Sequence, residues 1–353
     1  MLPKFVIYYV GKLIMHNDLK SFLSVRNYDF IEGEILDVKI NKIIRRRLSK
    51  VYILDLFTRN GKVSVCIKVL NVEKNEYNIS KRKLEKEYKN CSYVYDNFSD
   101  EKIFRISKPL HYSANDLLIV TELLTNYSTL EANVGLFSFL KNKNSILDLS
   151  FVTGGKLAEF HRKSGNEEAF SLEKFNDLRE YLLYRLTLIY DFIRNRFPSE
   201  VSNKLSMIID GQFEPYFLER TGGGDNIVLA HCDFTPANIL WNGRSLALID
   251  FADTKYASRY MDLACYIHYH RMLHMNYSFY NKSTISKIQE RFLTGYDSIY
   301  KVDKNILEIY LLRYLLTNTL TNIYEYKSSR LKMFILEKRI SRYVDAIFQF
   351  VKC

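Results

Sequence analysis

One stretch restricts the fold more than any other. Between Val228 and Asp253 the chain reads Val-Leu-Ala-His231-Cys232-Asp233-Phe-Thr-Pro-Ala-Asn238-Ile-Leu-Trp-Asn-Gly-Arg-Ser-Leu-Ala-Leu-Ile-Asp250-Phe-Ala-Asp253. Two short apolar runs, Ile227 to Ala230 and Leu246 to Ile249, bracket a polar loop, and each ends in polar side chains. Apolar runs of that length between turn residues read as strands. The pattern therefore predicts two strands that deliver one His, two carboxylates and one amide to a common edge. An ordinary strand-loop-strand with chance polar residues would account for any one of these groups. It does not account for their joint order and spacing.

The set suits transfer of a phosphoryl group. One carboxylate orients an acceptor hydroxyl and takes its proton, while an amide oxygen and a second carboxylate hold magnesium against the phosphates. Magnesium prefers hard oxygen ligands and keeps several waters, so one Asn and one Asp suffice as protein ligands.

The order His-x-Asp-x-x-x-x-Asn followed by Ile-Asp-Phe resembles the catalytic loop and metal motif of the protein-kinase-like fold. His231-Cys-Asp-Phe-Thr-Pro-Ala-Asn-Ile-Leu is similar in particular to the aminoglycoside phosphotransferase and choline kinase family. Two positions depart from the pattern. Cys232 stands where the family usually has Gly, a small-for-small exchange, and Ala252 stands where protein kinases have Gly, which implies a metal loop less free to flip. The resemblance runs from about residue 33 to about residue 300, with its sharp motifs in the central stretch. It implies an α+β fold of two lobes. Residues 1–125 would form a small antiparallel sheet with one helix, and residues 126–353 a mainly helical lobe bearing the catalytic and metal loops. It also implies ATP (or GTP) as co-substrate, Mg2+ held by Asn238 and Asp250, and a small-molecule hydroxyl as acceptor, faced by Asp233.

The nucleotide side follows from residues 31–126. Glu34 to Ile40, Val51 to Phe57 and Val63 to Val69 read as a three-strand meander, with Arg59-Asn60-Gly61 as its tight turn. Arg45 to Lys50 reads as a polar loop. No Gly-rich loop is present, and family members use Ser or Asn there, which points to Ser49 as a phosphate donor. A solvated basic loop explains the same residues equally well. Lys68, flanked by apolar residues in its strand, needs a partner or an anion, and the family role is a grip on the α- and β-phosphates. Alternation places Val63, Val65 and Ile67 on one face and Ser64, Cys66 and Lys68 on the other. In the helix predicted over Ser80 to Cys91, Glu85 and Glu87 flank the apolar face almost symmetrically. Helical geometry favours Glu87 slightly as the Lys68 partner, and the family pattern of Glu followed by an aromatic residue agrees. Leu117 to Leu124 reads as the last strand of the small lobe. Thr121, Glu122 and Leu124 would meet the adenine edge through main-chain groups.

Beyond residue 130 the apolar spacing is helical. Phe151 to Lys163 resembles the helix under the catalytic loop, and His161 reads as structural. The run Arg259-Tyr-Met-Asp262 resembles the opening of a buried family helix whose Asp accepts hydrogen bonds from the catalytic-loop backbone. Asp262 and His231 are thus support for the loop, and Arg259 is a partner or a surface residue. His268, His270 and His274 follow with no carboxylate to complete a metal site, so they read as structural. Thr221-Gly-Gly-Gly-Asp225 lacks a following Lys-Ser/Thr and is not a Walker phosphate loop. The Tyr-rich C-terminal helices suit either core packing or stacking on a sugar ring or cationic head group.

The net charge of +11 favours acidic partners, but no recognised nucleic-acid module is present, so none is expected as a partner. The five scattered Cys, without a C-x-x-C pair, fit reduced thiols in a cytoplasmic protein. The apolar patch near the N-terminus is too short and too Lys-broken to span a bilayer. Acidic residues beyond the catalytic ones do not cluster, which tilts the acceptor toward a sugar or related metabolite, neutral or anionic. Choline, ethanolamine or an aminoglycoside is the alternative acceptor, and a non-catalytic nucleotide-binding protein on the same fold is the rival of another class.

Overall fold

The computed structural model describes residues 31, 34–46, 49–71, 77–100, 102–134, 143–165, 172–220, 226–276, 281–328 and 333–352. The segment Asp18 to Val25, where the sequence suggests a helix, and the glycine-rich segment Thr221 to Asp225 lie outside them. The chain packs as two compact units, Met1–Leu130 with Asn238–Thr254, and Glu131–Ala237 with Lys255–Cys353.

In the first unit, β1 (Ile35–Arg45), β2 (Ser49–Thr58) and β3 (Gly61–Leu70) form the expected meander. Gly61 takes φ +131, open to glycine and strained for other residues, and Thr58 Oγ1 accepts from Asn60 N at 3.2 Å to close the turn. Helix α1 (Tyr77–Phe98) follows, buried along Leu84, Glu87, Cys91, Val94 and Phe98, a stripe of helical period. After β4 (Arg105–Ile106), β5 (Pro109–Ser113) and β6 (Leu118–Glu122) complete an antiparallel sheet of order β1-β2-β3-β6-β5. One face buries Leu54, Leu56, Val65, Ile67 and Val120. On the other, Leu84 of α1 packs with Leu117 and Ile119. The period-2 alternation of β3 thus puts Lys68 on the helix side.

Ser49 is not in a loop. The β2–β3 ladder runs unbroken from the turn to the pair Ser49–Leu70, so Ser49 opens β2 as a buried strand residue.

A second sheet in this unit has the order β4-β10-β9-β7, built from β7 (Ser128–Thr129), β9 (Ile239–Trp241), β10 (Leu246–Leu248) and β4, which runs parallel to β10. The other apolar run forms β8 (Ile227–Ala230), which pairs in the second unit with β11 (Lys255–Ser258). The two runs therefore lie in different sheets, each paired with another strand. Asn242-Gly243 supplies the reason. Gly243 sits at φ 93, and Asn242 Oδ1 accepts from Arg244 N (2.9 Å) and Ser245 N (2.8 Å). This turn makes Ile239–Trp241 the hairpin mate of Leu246–Leu248.

The second unit is mainly helical. After α2 (Leu130–Val134) at the unit boundary come α3 (Lys143–Ser164), α4 (Leu172–Ile193) and α5 (Ser199–Met207). A single π-turn over Ile208–Gln212 leads into α6 (Phe213–Leu218). After β8 and β11 follow α7 (Tyr260–Asn276), α8 (Lys282–Asp297), α9 (Lys304–Ser328) and α10 (Met333–Lys352). Helices α3 and α8 approach to backbone contact. A Cβ on Gly154 would lie 2.0 Å from the Phe292 carbonyl oxygen, and one on Gly295 2.0 Å from that of Phe151. Only glycine fits at either position. Among the described residues, no helix is long and apolar enough to cross a membrane.

Candidate active site

The first unit assembles a charged cluster around Lys68. Its ammonium donates to Glu87 Oε1 at 2.8 Å and to Asp250 Oδ1 at 3.1 Å. Strand β3, helix α1 and the segment after β10 each supply one member. Glu85 pairs instead with Lys89 at 2.8 Å on the exposed side of α1, so of the two candidate glutamates Glu87 meets the lysine. Burial acts to lower the Lys68 pKa, but the carboxylates of Asp250 and Glu87 outweigh it and the pKa rises, keeping the amine charged. Burial raises the Glu87 carboxyl against the pull of Lys68, and Asp250 adds like-charge repulsion.

Asp250 adopts φ 66, a left-handed conformation that Asp tolerates better than most residues. Asn90, one turn beyond Glu87 on α1, donates through Nδ2 to the carbonyls of Phe251 (2.9 Å) and Thr254 (3.0 Å). It pins the backbone just after Asp250. Sequence reasoning missed Asn90, although its three-residue spacing from Glu87 places both on one helical face. Asn238 is buried and precedes β9, and its carbonyl accepts from Ile249 N at 3.1 Å, tying the two ends of the β9–β10 hairpin together. Asn238 and Asp250 offer an amide and a carboxylate, hard oxygen donors that fit magnesium with phosphate and water completing the set. Among the described residues no group of three or more His, Cys, Asp or Glu is placed to hold a metal ion.

The three residues read as adenine contacts lie at the end of β6. Thr121 pairs with Cys66 and Pro109 in the sheet, and Leu124 is buried just beyond it. Both backbone groups of Glu122 are engaged, its amide by Lys108 O (2.8 Å) and its carbonyl by Ser107 Oγ (2.6 Å), while its side chain pairs with Arg105 at 2.8 Å.

In the second unit a different cluster shapes the loop that carries Asp233. Asp262, fully buried on the first turn of α7, accepts His231 N on Oδ2 (2.8 Å) and Cys232 N on Oδ1 (2.7 Å). His161 of α3 donates Nε2–H to the same Oδ2 at 3.1 Å, since a carboxylate can only accept, and its Nδ1 meets Tyr296 Oη at 2.8 Å. Tyr314 of α9 donates its hydroxyl to Cys232 O at 3.2 Å. The His231 ring returns to the loop, its Nδ1 accepting from Asp233 N at 3.3 Å. Cys232 has φ 62. That is the glycine region, so the exchange at this position is costly for its backbone rather than for its size, at about 1–2 kcal/mol. Both of its main-chain polar groups are bonded, which holds the strained geometry in place. Asp233 itself is half-buried, with its carbonyl accepting from Thr235 N at 2.8 Å. Arg259 is buried, donating to Lys301 O at 3.0 Å and lying over the rings of Tyr260 and Tyr300.

The histidines of α7 split in character. His268 accepts on Nε2 from Asn318 Nδ2 at 2.5 Å, whereas neither ring nitrogen of buried His270 has a partner among the described residues. Burial lowers the pKa of both to about 3, with Arg271 adding to the effect at His268.

Residues 212–282, which hold the whole central stretch and Asp262, match the model of the phosphotransferase enzyme family. No curated protein sequence matches the chain. Solved structures do. A choline/ethanolamine kinase family protein from Mesorhizobium loti aligns over 96% of this chain and 99% of its own, with TM-score 0.56 and 12% identity. A choline kinase from Streptococcus pneumoniae covers 94% and 99%, with TM-score 0.51 and 14% identity. A glucosamine kinase covers 94% and 99%, with TM-score 0.51 and 10% identity. Likeness at these identities shows the fold, which is protein-kinase-like, with an antiparallel-sheet N-terminal region and a mainly helical C-terminal part. The family resemblance carried by the central motif is borne out.

Proposed function

We propose that the chain is an ATP-dependent phosphotransferase that moves the γ-phosphate to a hydroxyl of a small molecule, a sugar or related metabolite. The observation that carries this reading is the Lys68 ammonium held between Glu87 and Asp250 at 2.8 and 3.1 Å. A cation fixed by a carboxylate on each side presents its remaining donor to phosphate oxygens, and holding it in advance lowers the cost of ordering it on binding.

In this reading Lys68 grips the α- and β-phosphates, with Glu87 fixing its position. Asn238 and Asp250 would hold magnesium, which would supply charge neutralisation at the phosphates. Asp233 orients the acceptor hydroxyl for in-line attack. The acceptor oxygen forms a bond to the γ-phosphorus, the bond from that phosphorus to the bridging oxygen breaks, ADP leaves, and the hydroxyl proton passes late to Asp233. Asp262 and His231 act only through the loop backbone, by holding the amides around Asp233. Positioning and charge neutralisation supply most of the rate.

The test is turnover by Asp233→Ala in an ADP-release assay over a panel of sugars, amino alcohols and aminoglycosides. Loss of a carboxylate that positions and deprotonates the hydroxyl lowers kcat by about two to four orders of magnitude. Turnover close to that of the unaltered chain would remove Asp233 from the mechanism.

A further inference from the structure

We propose that the acceptor carries an oxyanion, a phosphate or carboxylate group, and that Arg185 and Arg313 recognise it; the turnover half of this proposal rests on the phosphotransferase reading above. The two arginines come from neighbouring helices of one unit, α4 and α9. Arg185 lies over the Tyr181 ring at 4.5 Å and donates through Nη1 to Thr317 Oγ1 at 3.2 Å. Arg313 lies over the same ring at 5.4 Å. Both side chains are half-buried. Among the described residues, neither guanidinium has a carboxylate within ion-pair distance. Three arginines elsewhere are neutralised by carboxylates, Arg220 by Glu308 at 2.9 Å, Arg105 by Glu122 at 2.8 Å and Arg179 by Glu214 at 2.7 Å.

Two like charges stacked on one ring and partly withdrawn from water repel each other and lose hydration. An oxyanion offsets both costs and matches the planar donor fork of a guanidinium. The location ties this pair to the acceptor. Tyr314, adjacent to Arg313, reaches the catalytic loop at Cys232 O (3.2 Å), and its ring stacks on His268 at 5.9 Å. One helical turn of α9 therefore presents a contact to the catalytic loop beside an unneutralised cation pair. A cationic acceptor such as an amino alcohol would meet repulsion there.

The experiment is calorimetric titration of the full chain, with magnesium and a non-hydrolysable ATP analogue present. The probes are glucose, glucosamine, glucose 6-phosphate, glucuronate and glycerol 3-phosphate. At least one anionic member should bind more tightly than glucose by about tenfold to a hundredfold, the range for charge-assisted hydrogen bonds, and glucosamine should not gain. The double variant Arg185→Gln/Arg313→Gln should erase that preference, and Arg185→Lys/Arg313→Lys should retain part of it because the charge remains. If the double variant unfolds, the single variants Arg185→Gln and Arg313→Gln read the same difference. The phosphate and carboxylate probes separate the two oxyanion classes. Equal binding of neutral and anionic probes, or a preference that survives both Gln substitutions, overturns the proposal. A purely structural Arg-Tyr stack would lower the melting temperature of the Gln variants without changing selectivity, which also overturns it. Anion binding that depends on the pair, with no ATP turnover on any acceptor, would uphold the arginine site and count against the phosphotransferase reading.

Discussion

Two carboxylates in this chain, Asp250 and Asp262, both hold a functional group in place, and they do so in opposite environments. Asp250 belongs to an open cluster. Its side chain is 30% exposed, and those of Lys68 and Glu87 are 21% and 12% exposed. Asp262 and its partner His161 are sealed at 0% exposure, and Asp262 accepts three hydrogen bonds. A charge satisfied wholly by fixed protein donors has nothing left for a ligand and works as scaffold. A cluster left partly in water retains donors and acceptors that a ligand can take. Burial therefore sets the sealed Asp262 cluster that shapes the loop apart from the partly open cluster around Lys68.

The contrast breaks most visibly at Asp262. Asp262→Ala leaves two loop amides and the His161 ring without an acceptor in a dry site. We expect a stability loss of about 3–5 kcal/mol, read by denaturant unfolding. A loss below about 1 kcal/mol would mean that the sealed cluster is not the scaffold described here. The buried histidines sharpen the point through pH. With folded pKa values of about 3, His268 and His270 stay neutral in the native state, while in the unfolded chain each takes a proton below pH about 6.5. The unfolded state thus binds more protons between pH about 6.5 and about 3, and stability falls as pH drops through that window. Each histidine contributes a slope of about 1.4 kcal/mol per pH unit. His270→Phe removes one such slope without orphaning a hydrogen-bond partner. Unfolding curves at several pH values should show a shallower decline in that variant, and parallel declines would refute the assignment. A smaller effect than at Asp262 belongs to the open cluster, where Lys68→Ala leaves the Glu87 and Asp250 carboxylates without their shared cation and should cost about 1–3 kcal/mol. A further consequence should fall on nucleotide affinity.

The sequence showed the fold and the site unevenly, for identifiable reasons. The alternation in Val63 to Val69 and the Asn-Gly turn at 60–61 placed Lys68 on the helix-facing side of β3, because a period-2 strand with one buried face allows only one register. Asp262 was legible because its role depends on its place at the start of a buried helix. The pairing of β8 with β11 was not legible. Both apolar runs carry the same local signal, and only tertiary pairing decides between partners. Asn90 and Tyr314 escaped for a related reason. Each acts through a backbone carbonyl, and carbonyls carry no side-chain signature. At Cys232 the measure was at fault, since the constraint there is a φ angle rather than a volume.

The most direct measurement is the affinity of Mg-ATP for the Asp250→Ala chain, by calorimetry with and without magnesium. The account predicts that the unaltered chain binds ATP more tightly when magnesium is present and that Asp250→Ala loses this magnesium-dependent gain. An unchanged Mg-ATP affinity in the variant would contradict it.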